Sequence, residues 1–308
     1  MLIAVASVKG SPGATTLALG MAALWPRPGA VLVECDAAGG DLAVRFGHHP
    51  DHPDGPGLSG LAAATLPAAP QPQPPASTPP GPIQPATAGG LLAGFAQRLS
   101  VGADVVLAAP GPAAAAAVRT LTEHGITTLR QAAATRTVVL DVGRLDAASP
   151  SLPLAAAADH LLLVARPEPA EQHQVGARLA WLQSLLSGRL WLAPAGDGRL
   201  PAAELTSTFD VPVIGVLPHH RWAAAALTGR MRVPNWRRLS LGTAIGQIAV
   251  RLADLEPIPD LGTVPHPPVV APVITAPRTR TADRRPGGSG GVEGGSADGD
   301  DGRPREKR

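Results

Sequence analysis

The chain has 308 residues, enough for one large domain or two small ones, and 26 basic against 24 acidic side chains leave a net charge of +2. So balanced a charge supplies no global field to hold nucleic acid or an anionic membrane, and a single cysteine, Cys35, excludes a disulfide framework and a cysteine-rich zinc site. No apolar run approaches the ~20 residues of a membrane span. The opening MLIAVASVKG has neither the basic start nor the long apolar stretch of a signal peptide, so a cytoplasmic protein is expected.

In chain order, the first apolar run, Leu2–Ser7, reads as a strand. A loop bearing Gly10, Pro12 and Gly13 follows, and then a helical pattern over Thr15–Leu24. Further strands are predicted at Ala30–Cys35, Asp104–Ala108, Thr137–Asp141, His160–Ala165, Arg189–Ala193 and Val213–Leu217. Most of these runs are continuously apolar rather than alternating, as strands covered on both faces require. Helical patterns fall at Gly90–Leu99, Ala113–His124, Pro169–Leu186, Pro201–Phe209 and Leu239–Leu255. Strands alternating with helices imply an α/β fold: a doubly wound, mainly parallel sheet with helices on both faces, a three-layer sandwich. Two stretches stand outside it. Residues 66–88 are too rich in proline for helix or interior strand, and residues 256–308 form a Pro/Gly-rich charged tail with little to bury. The expected folded body is therefore 1–255, with 66–88 as a loop insertion.

The loop after the first strand, Lys9-Gly-Ser-Pro-Gly-Ala-Thr-Thr16, carries the first chemical signal. Its glycines let successive N–H groups turn inward as an anion nest, and the following helix adds its positive end; phosphate suits both. Thr15 stands where a hydroxyl would ligate Mg²⁺. The strict pattern G-x-x-x-x-G-K-[ST] fails twice, at Val8 and at Ala14, and an ordinary β–α turn with a threonine cap accounts for this segment equally well. The next strand ends in Glu34 and Asp36 before a Gly-Gly turn and Asp41, and the strand at 137–141 ends in Asp141 followed by Val142-Gly143. Carboxylates at the ends of parallel strands face the crevice where open α/β sheets bind ligands. Beside a glycine-bearing loop they describe a nucleotide–Mg²⁺ site.

This ordered series resembles the ParA/MinD family, the deviant-Walker-A branch of P-loop ATPases, over roughly residues 1–255. The family loop reads K-G-G-x-G-K-T-[TS], which Lys9–Thr16 matches at all but two positions. Ala156–Glu168 and Val211–Pro218, with Ala223–Gly229 after it, resemble later family segments. The resemblance implies a nucleotide-dependent positioning or partitioning ATPase using ATP and Mg²⁺. In it, Gly10, Ser11, Pro12, Gly13, Ala14, Thr15 and Thr16 wrap phosphates, and Thr15 and Asp141 hold Mg²⁺. Asp36 takes the place of the catalytic switch acid, and Lys9 reaches the partner's nucleotide across a homodimer. Ala14 replaces the P-loop lysine, and losing a charge-assisted hydrogen bond of roughly 1.5–3 kcal/mol weakens binding about ten- to a hundredfold. The competing expectation is therefore a catalytically degenerate scaffold that localises a secretion, pilus or DNA-segregation machine.

Three further features carry weight. The segment 47–54 gathers three histidines and two aspartates; two prolines and no regular element favour a solvated loop over a metal site. Cys35, between two acids, reads as a buried filler. Between Val211 and Ala253 stand Arg221, Arg230, Arg232, Arg237, Arg238 and Arg251 with Trp222 and Trp236 and no carboxylate. That segment suits non-specific DNA contact, a docked protein partner or a solvated helix face. On the base side, Asp197 replaces the usual asparagine region, and Arg144 reads as a surface charge.

Overall fold

The computed structural model describes residues 1–10, 13–26, 29–52, 55–67, 88–186, 188–196 and 200–255. The expectations for Ser11, Pro12, Asp197, almost all of the 66–88 insertion and the tail from 256 lie outside these residues.

In chain order the elements are β1 (Leu2–Ser7), α1 (Ala14–Leu24), β2 (Val31–Glu34), α2 (Leu42–Phe46), α3 (Gly57–Thr65), α4 (Ala88–Phe95), β3 (Gln97–Arg98) and β4 (Asp104–Val106). There follow α5 (Pro112–Thr120), a π-helical turn (Leu121–Gly125), α6 (Ile126–Thr135), β5 (Val138–Arg144), α7 (Leu152–Ala156), β6 (His160–Ala165) and α8 (Pro169–Leu185). The last elements are β7 (Arg189–Pro194), α9 (Ala202–Phe209), α10 (Arg221–Leu227), a 3₁₀ turn (Trp236–Arg238) and α11 (Ser240–Ala253).

The strands form one sheet in the order β3-β4-β2-β5-β1-β6-β7. Every pairing is parallel except that of the short edge strand β3 with β4. The doubly wound, mainly parallel sheet expected from the sequence is the fold of this chain. Alternation along the strands divides the core in two. Leu2, Ala4 and Ala6 of β1 join Val31, Val33, Leu140 and Leu163 beneath α3, α5, α6 and α8, whereas Ile3 and Val5 join Leu32, Val139 and Leu162 beneath α1, α10 and α11. With both faces covered, the central strands are apolar along most of their length.

Several boundaries differ from the sequence reading for identifiable reasons. The helix expected over 90–99 stops at Phe95, and Gln97–Arg98 pairs with β4 instead. The pattern at 113–124 runs on through the π turn to Thr135. Val213–Leu217 is not a strand: proline at 212 and 218 leaves it only two isolated bridges, Leu192 to Val213 and Ala195 to Leu217. Strand β5 continues past Asp141 to Arg144, and its register against β1 slips between Val5 and Ala6. That irregularity shapes the site. Among the described residues no helix is long and apolar enough to cross a membrane.

Candidate functional site

Strands β1, β2 and β5 lie side by side, so their C-terminal ends open on one crevice: Asp141 is in register with Val5 on one side and Glu34 on the other. Leaving β1, Val8 is buried while Lys9 and Gly10 face solvent. A side chain at position 10 would meet nothing within 4 Å, so the loop stands open. Gly13 adopts φ +105°, a conformation suited to glycine, and serves as the N-cap of α1. Having no side chain, it leaves the first-turn N–H groups uncapped, and they keep their pull on an anion. A threonine-capped turn, the alternative open from the sequence, is not what forms here.

The Thr15 hydroxyl lies near the Asp141 carboxylate and favours its ionised form. Asp141 is 2 % exposed and accepts from the Gly143 N–H at 3.2 Å. Burial nevertheless pushes its pKa up to about 6, with Asp36 adding repulsion against the relief given by Thr15, Gly143 and the Arg45 charge. A threonine hydroxyl beside an aspartate carboxylate is an all-oxygen donor set, the kind a hard cation such as Mg²⁺ prefers. A desolvated carboxylate held short of full ionisation is one that a cation would stabilise.

Asp36 sits across from Gly143. A β-carbon at position 143 would fall 2.2 Å from the Asp36 carboxyl, and Gly143 itself has φ +65°. The Asp36 side chain thus occupies the space a larger residue would fill, and its Oδ1 accepts the Ala38 N–H at 2.9 Å. Burial raises its pKa, partly offset by that hydrogen bond.

Glu34, the other acid of β2, turns inward. It is 3 % exposed and accepts from the N–H groups of Leu42 at 3.2 Å and Ala108 at 2.9 Å. Burial lifts its pKa to about 7. It staples the start of α2 to the segment after β4, and Gly40 must lack a side chain because a β-carbon there would meet Glu34 Oε2 at 2.5 Å. Cys35 is fully buried, and desolvation followed by the surrounding carboxylates pushes its thiol far above the usual range. It is inert packing.

The remaining candidates lie apart. His48 Nδ1 contacts Gln97 Oε1 at 3.0 Å and His49 Nδ1 accepts the Asp51 N–H at 3.3 Å. Among the described residues no group of three metal-ligating side chains converges. In the arginine segment, Arg237 donates to the Val101 carbonyl at 3.1 Å and Arg251 to the Ile214 carbonyl at 2.8 Å, while Arg221 covers the Trp222 ring at 4.4 Å. Arg230, Arg232 and Arg238 are exposed. Arg144 reaches Asp146 at 3.9 Å, and its charge lowers the Asp36 pKa.

Comparison with known proteins bears on this arrangement. A ParA family ATPase from Chlorobium tepidum TLS superposes with a TM-score of 0.59, over 82 % of this chain and 98 % of that one, at 18 % identity. The septum site-determining protein MinD complexed with Mg-ADP from Pyrococcus horikoshii OT3 gives 0.55 over 82 % and 96 %, at 15 % identity. A Cyanothece McdA variant in complex with ATP gives 0.57 over 83 % and 98 %, at 14 % identity. The fold is that of the ParA/MinD ATPases. No protein-family profile matches the chain, and no curated protein does.

The space that Gly40 and Gly143 leave for Glu34 and Asp36 was not read from the sequence. Gly143 carried a signal in its place two residues beyond Asp141.

Proposed function

We propose that the chain is a ParA/MinD-like switch protein that binds ATP with Mg²⁺ and couples weak hydrolysis to homodimerisation, so as to position or partition a cargo. The observation that carries this reading is the placing of Thr15 near the buried Asp141 at the start of α1, with Asp36 seated on Gly143. In this reading the loop Gly10–Thr16 wraps the phosphates, its main-chain N–H groups other than the one Pro12 lacks donating to them, while Thr15 and Asp141 hold the cation. The bound cation would neutralise charge developing on the transferred phosphoryl group. Asp36 orients the attacking water, and the exposed Lys9 extends toward a second subunit. Mg-ADP in the Pyrococcus horikoshii protein and ATP in the Cyanothece one support the choice of ligand.

Titrating a fluorescent ATP analogue with and without Mg²⁺ tests this. Affinity should rise with Mg²⁺ and fall on Asp141→Asn or Lys9→Ala, whereas no binding to the native chain rejects the proposal. A second reading, a scaffold that has lost turnover, is favoured by one observation: Ala14 leaves the first turn of α1 without the ammonium that phosphoryl transfer usually employs. Phosphate release that is equal in the native chain and Asp36→Ala would select the scaffold.

The folded body in this proposal is 1–255, carrying the 66–88 insertion, and 256–308 is a non-folding tail. A chain ending at Leu255 should melt and bind nucleotide as the full chain does; a large drop in Tm rejects that division.

A further inference from the structure

Between Glu34, the last residue of β2, and Leu42, the first of α2, the chain forms neither helix nor strand. After Cys35 it reads Asp36-Ala-Ala-Gly-Gly-Asp41, which offers two methyl groups to packing and no larger apolar side chain. Side-chain burial therefore cannot hold the turn that carries Asp36. Hydrogen bonds must do so.

We infer that Glu34 is the positioning residue for Asp36: its carboxylate clamps the Asp36 turn onto the segment that follows β4. This deepens the hydrolytic reading proposed above and rests on it. The links run atom by atom. The Gly39 N–H donates to the Asp36 carbonyl at 3.0 Å and the Ala38 N–H to Asp36 Oδ1 at 2.9 Å, so the Asp36 carboxylate is tied into its own turn. That turn is docked on a second backbone: Gly39 forms an antiparallel bridge with Pro110, and the Gly40 N–H donates to the Ala109 carbonyl at 3.3 Å. Glu34 closes the junction from inside. Its Oε1 accepts from the Leu42 N–H just after the turn, at 3.2 Å, and its Oε2 from the Ala108 N–H just before the docking partner, at 2.9 Å.

The junction leaves no slack. A β-carbon on Gly39 would lie 2.6 Å from the Gly111 nitrogen, and one on Gly40 would lie 2.5 Å from Glu34 Oε2 and 2.7 Å from the Ala108 carbonyl oxygen. Two N–H donors facing one side chain need two acceptors, which a carboxylate supplies. Glutamine would turn an NH₂ group toward one of the donors, and that half of the clamp would be lost. Aspartate, one methylene shorter, would not span both backbones. Both oxygens of Glu34 are thereby used on main-chain groups, and the acid itself is buried. Its effect on the crevice passes through the placing of Asp36.

The test pairs amide hydrogen exchange of the ligand-free protein with phosphate release and ATP-analogue titration. It compares the native chain, Glu34→Gln, Gly40→Ala, and each of these combined with Asp36→Ala. In Glu34→Gln the Gly39 and Gly40 amides, which Glu34 does not itself bind, should exchange about tenfold faster or more, with the β6 amides unchanged. Phosphate release should fall to the level of Asp36→Ala while the analogue dissociation constant stays within about threefold. Adding Asp36→Ala should lower release no further, because both changes remove one function. Gly40→Ala parts the two backbones with Glu34 intact and should reach the same state; it keeps the inference open to refutation should Glu34→Gln fold poorly. Faster exchange confined to Leu42 and Ala108, release unchanged in either variant, or affinity lost in step with release each overturns the role. Release that is equal in the native chain and Asp36→Ala instead removes the hydrolytic reading itself.

Discussion

The Thr15 hydroxyl, one residue into α1, lies near the carboxylate of Asp141 on β5 and favours its ionised form. The contact ties the first turn of α1 to a neighbouring strand, so the two oxygen donors stand side by side. Thr15→Val keeps the branched shape and deletes the donor. It should lower the Mg²⁺-dependent part of ATP-analogue affinity about tenfold, in line with a hydrogen bond to a charged group, while Thr15→Ser retains it. Titration in Mg²⁺ and in chelator separates the two contributions.

Two buried acids make the ligand-free protein sensitive to pH in an unusual direction. Glu34 is held at about 7 and Asp141 at about 6, both raised by desolvation from ordinary values of 4.5 and 3.8. Between the ordinary and raised values the folded state keeps protons that the unfolded state has released. Stability therefore declines as pH rises from about 4 to about 7. For Glu34 the effect across its window is about 3 kcal/mol. Urea midpoints of the native chain should fall between about pH 5 and about pH 7.5, and Glu34→Gln should flatten the decline. Saturating Mg²⁺ should oppose it, because a cation stabilises the ionised form of Asp141.

Gly143 and Asp36 compete for one space. Gly143→Ala would place a β-carbon 2.2 Å from the Asp36 carboxyl at a residue with φ +65°. The expected outcome is displacement of Asp36 with nucleotide binding largely kept. Any phosphate release should drop to the level of Asp36→Ala, while the ATP-analogue dissociation constant changes by less than about tenfold. A strain of about 1–3 kcal/mol should also appear as a lower Tm.

How far the sequence foretold this molecule depends on where the signal resided. Leu2–Ser7 and His160–Ala165 match their strands to the residue because a strand covered on both faces favours a nearly continuous apolar run. Val213–Leu217 has the same composition but flanking prolines, and it makes bridges rather than a strand. Helix α3, GLSGLAAAT, was not anticipated: its small residues give almost no periodicity, and it is tertiary packing of Leu58 and Leu61 that holds it. At the site, Asp36 and Asp141 were legible as acids ending strands. That Glu34 turns away to staple Leu42 and Ala108 was not, since its partners are main-chain amides distant in sequence. The Asp36–Gly143 contact depends on the register slip in β5, which no local pattern encodes.

At the opposite end of the sheet, His160 supplies a separate acid sensitivity. It opens β6, is 0 % exposed, and its Nδ1 accepts the Trp191 indole N–H at 3.2 Å. That bond places the remaining proton on Nε2, which has no hydrogen-bond partner. A second proton would fall on Nδ1, break the contact with Trp191 and bury a charge; desolvation accordingly lowers the pKa to about 4, with Asp159 opposing. The unfolded chain takes up this proton near the ordinary value of 6.5, so the folded state loses stability as pH falls from about 6.5 toward about 4. This slope runs opposite to those of Glu34 and Asp141 and offsets part of their decline in the native chain. Replacing the imidazole isolates each contribution. His160→Gln, whose side-chain oxygen can still accept from Trp191, should remove the loss below about pH 6.5 and expose the combined Glu34 and Asp141 slope, read as a urea midpoint that rises steadily on acidification. A midpoint that still drops over that range in His160→Gln would place the acid sensitivity at another group.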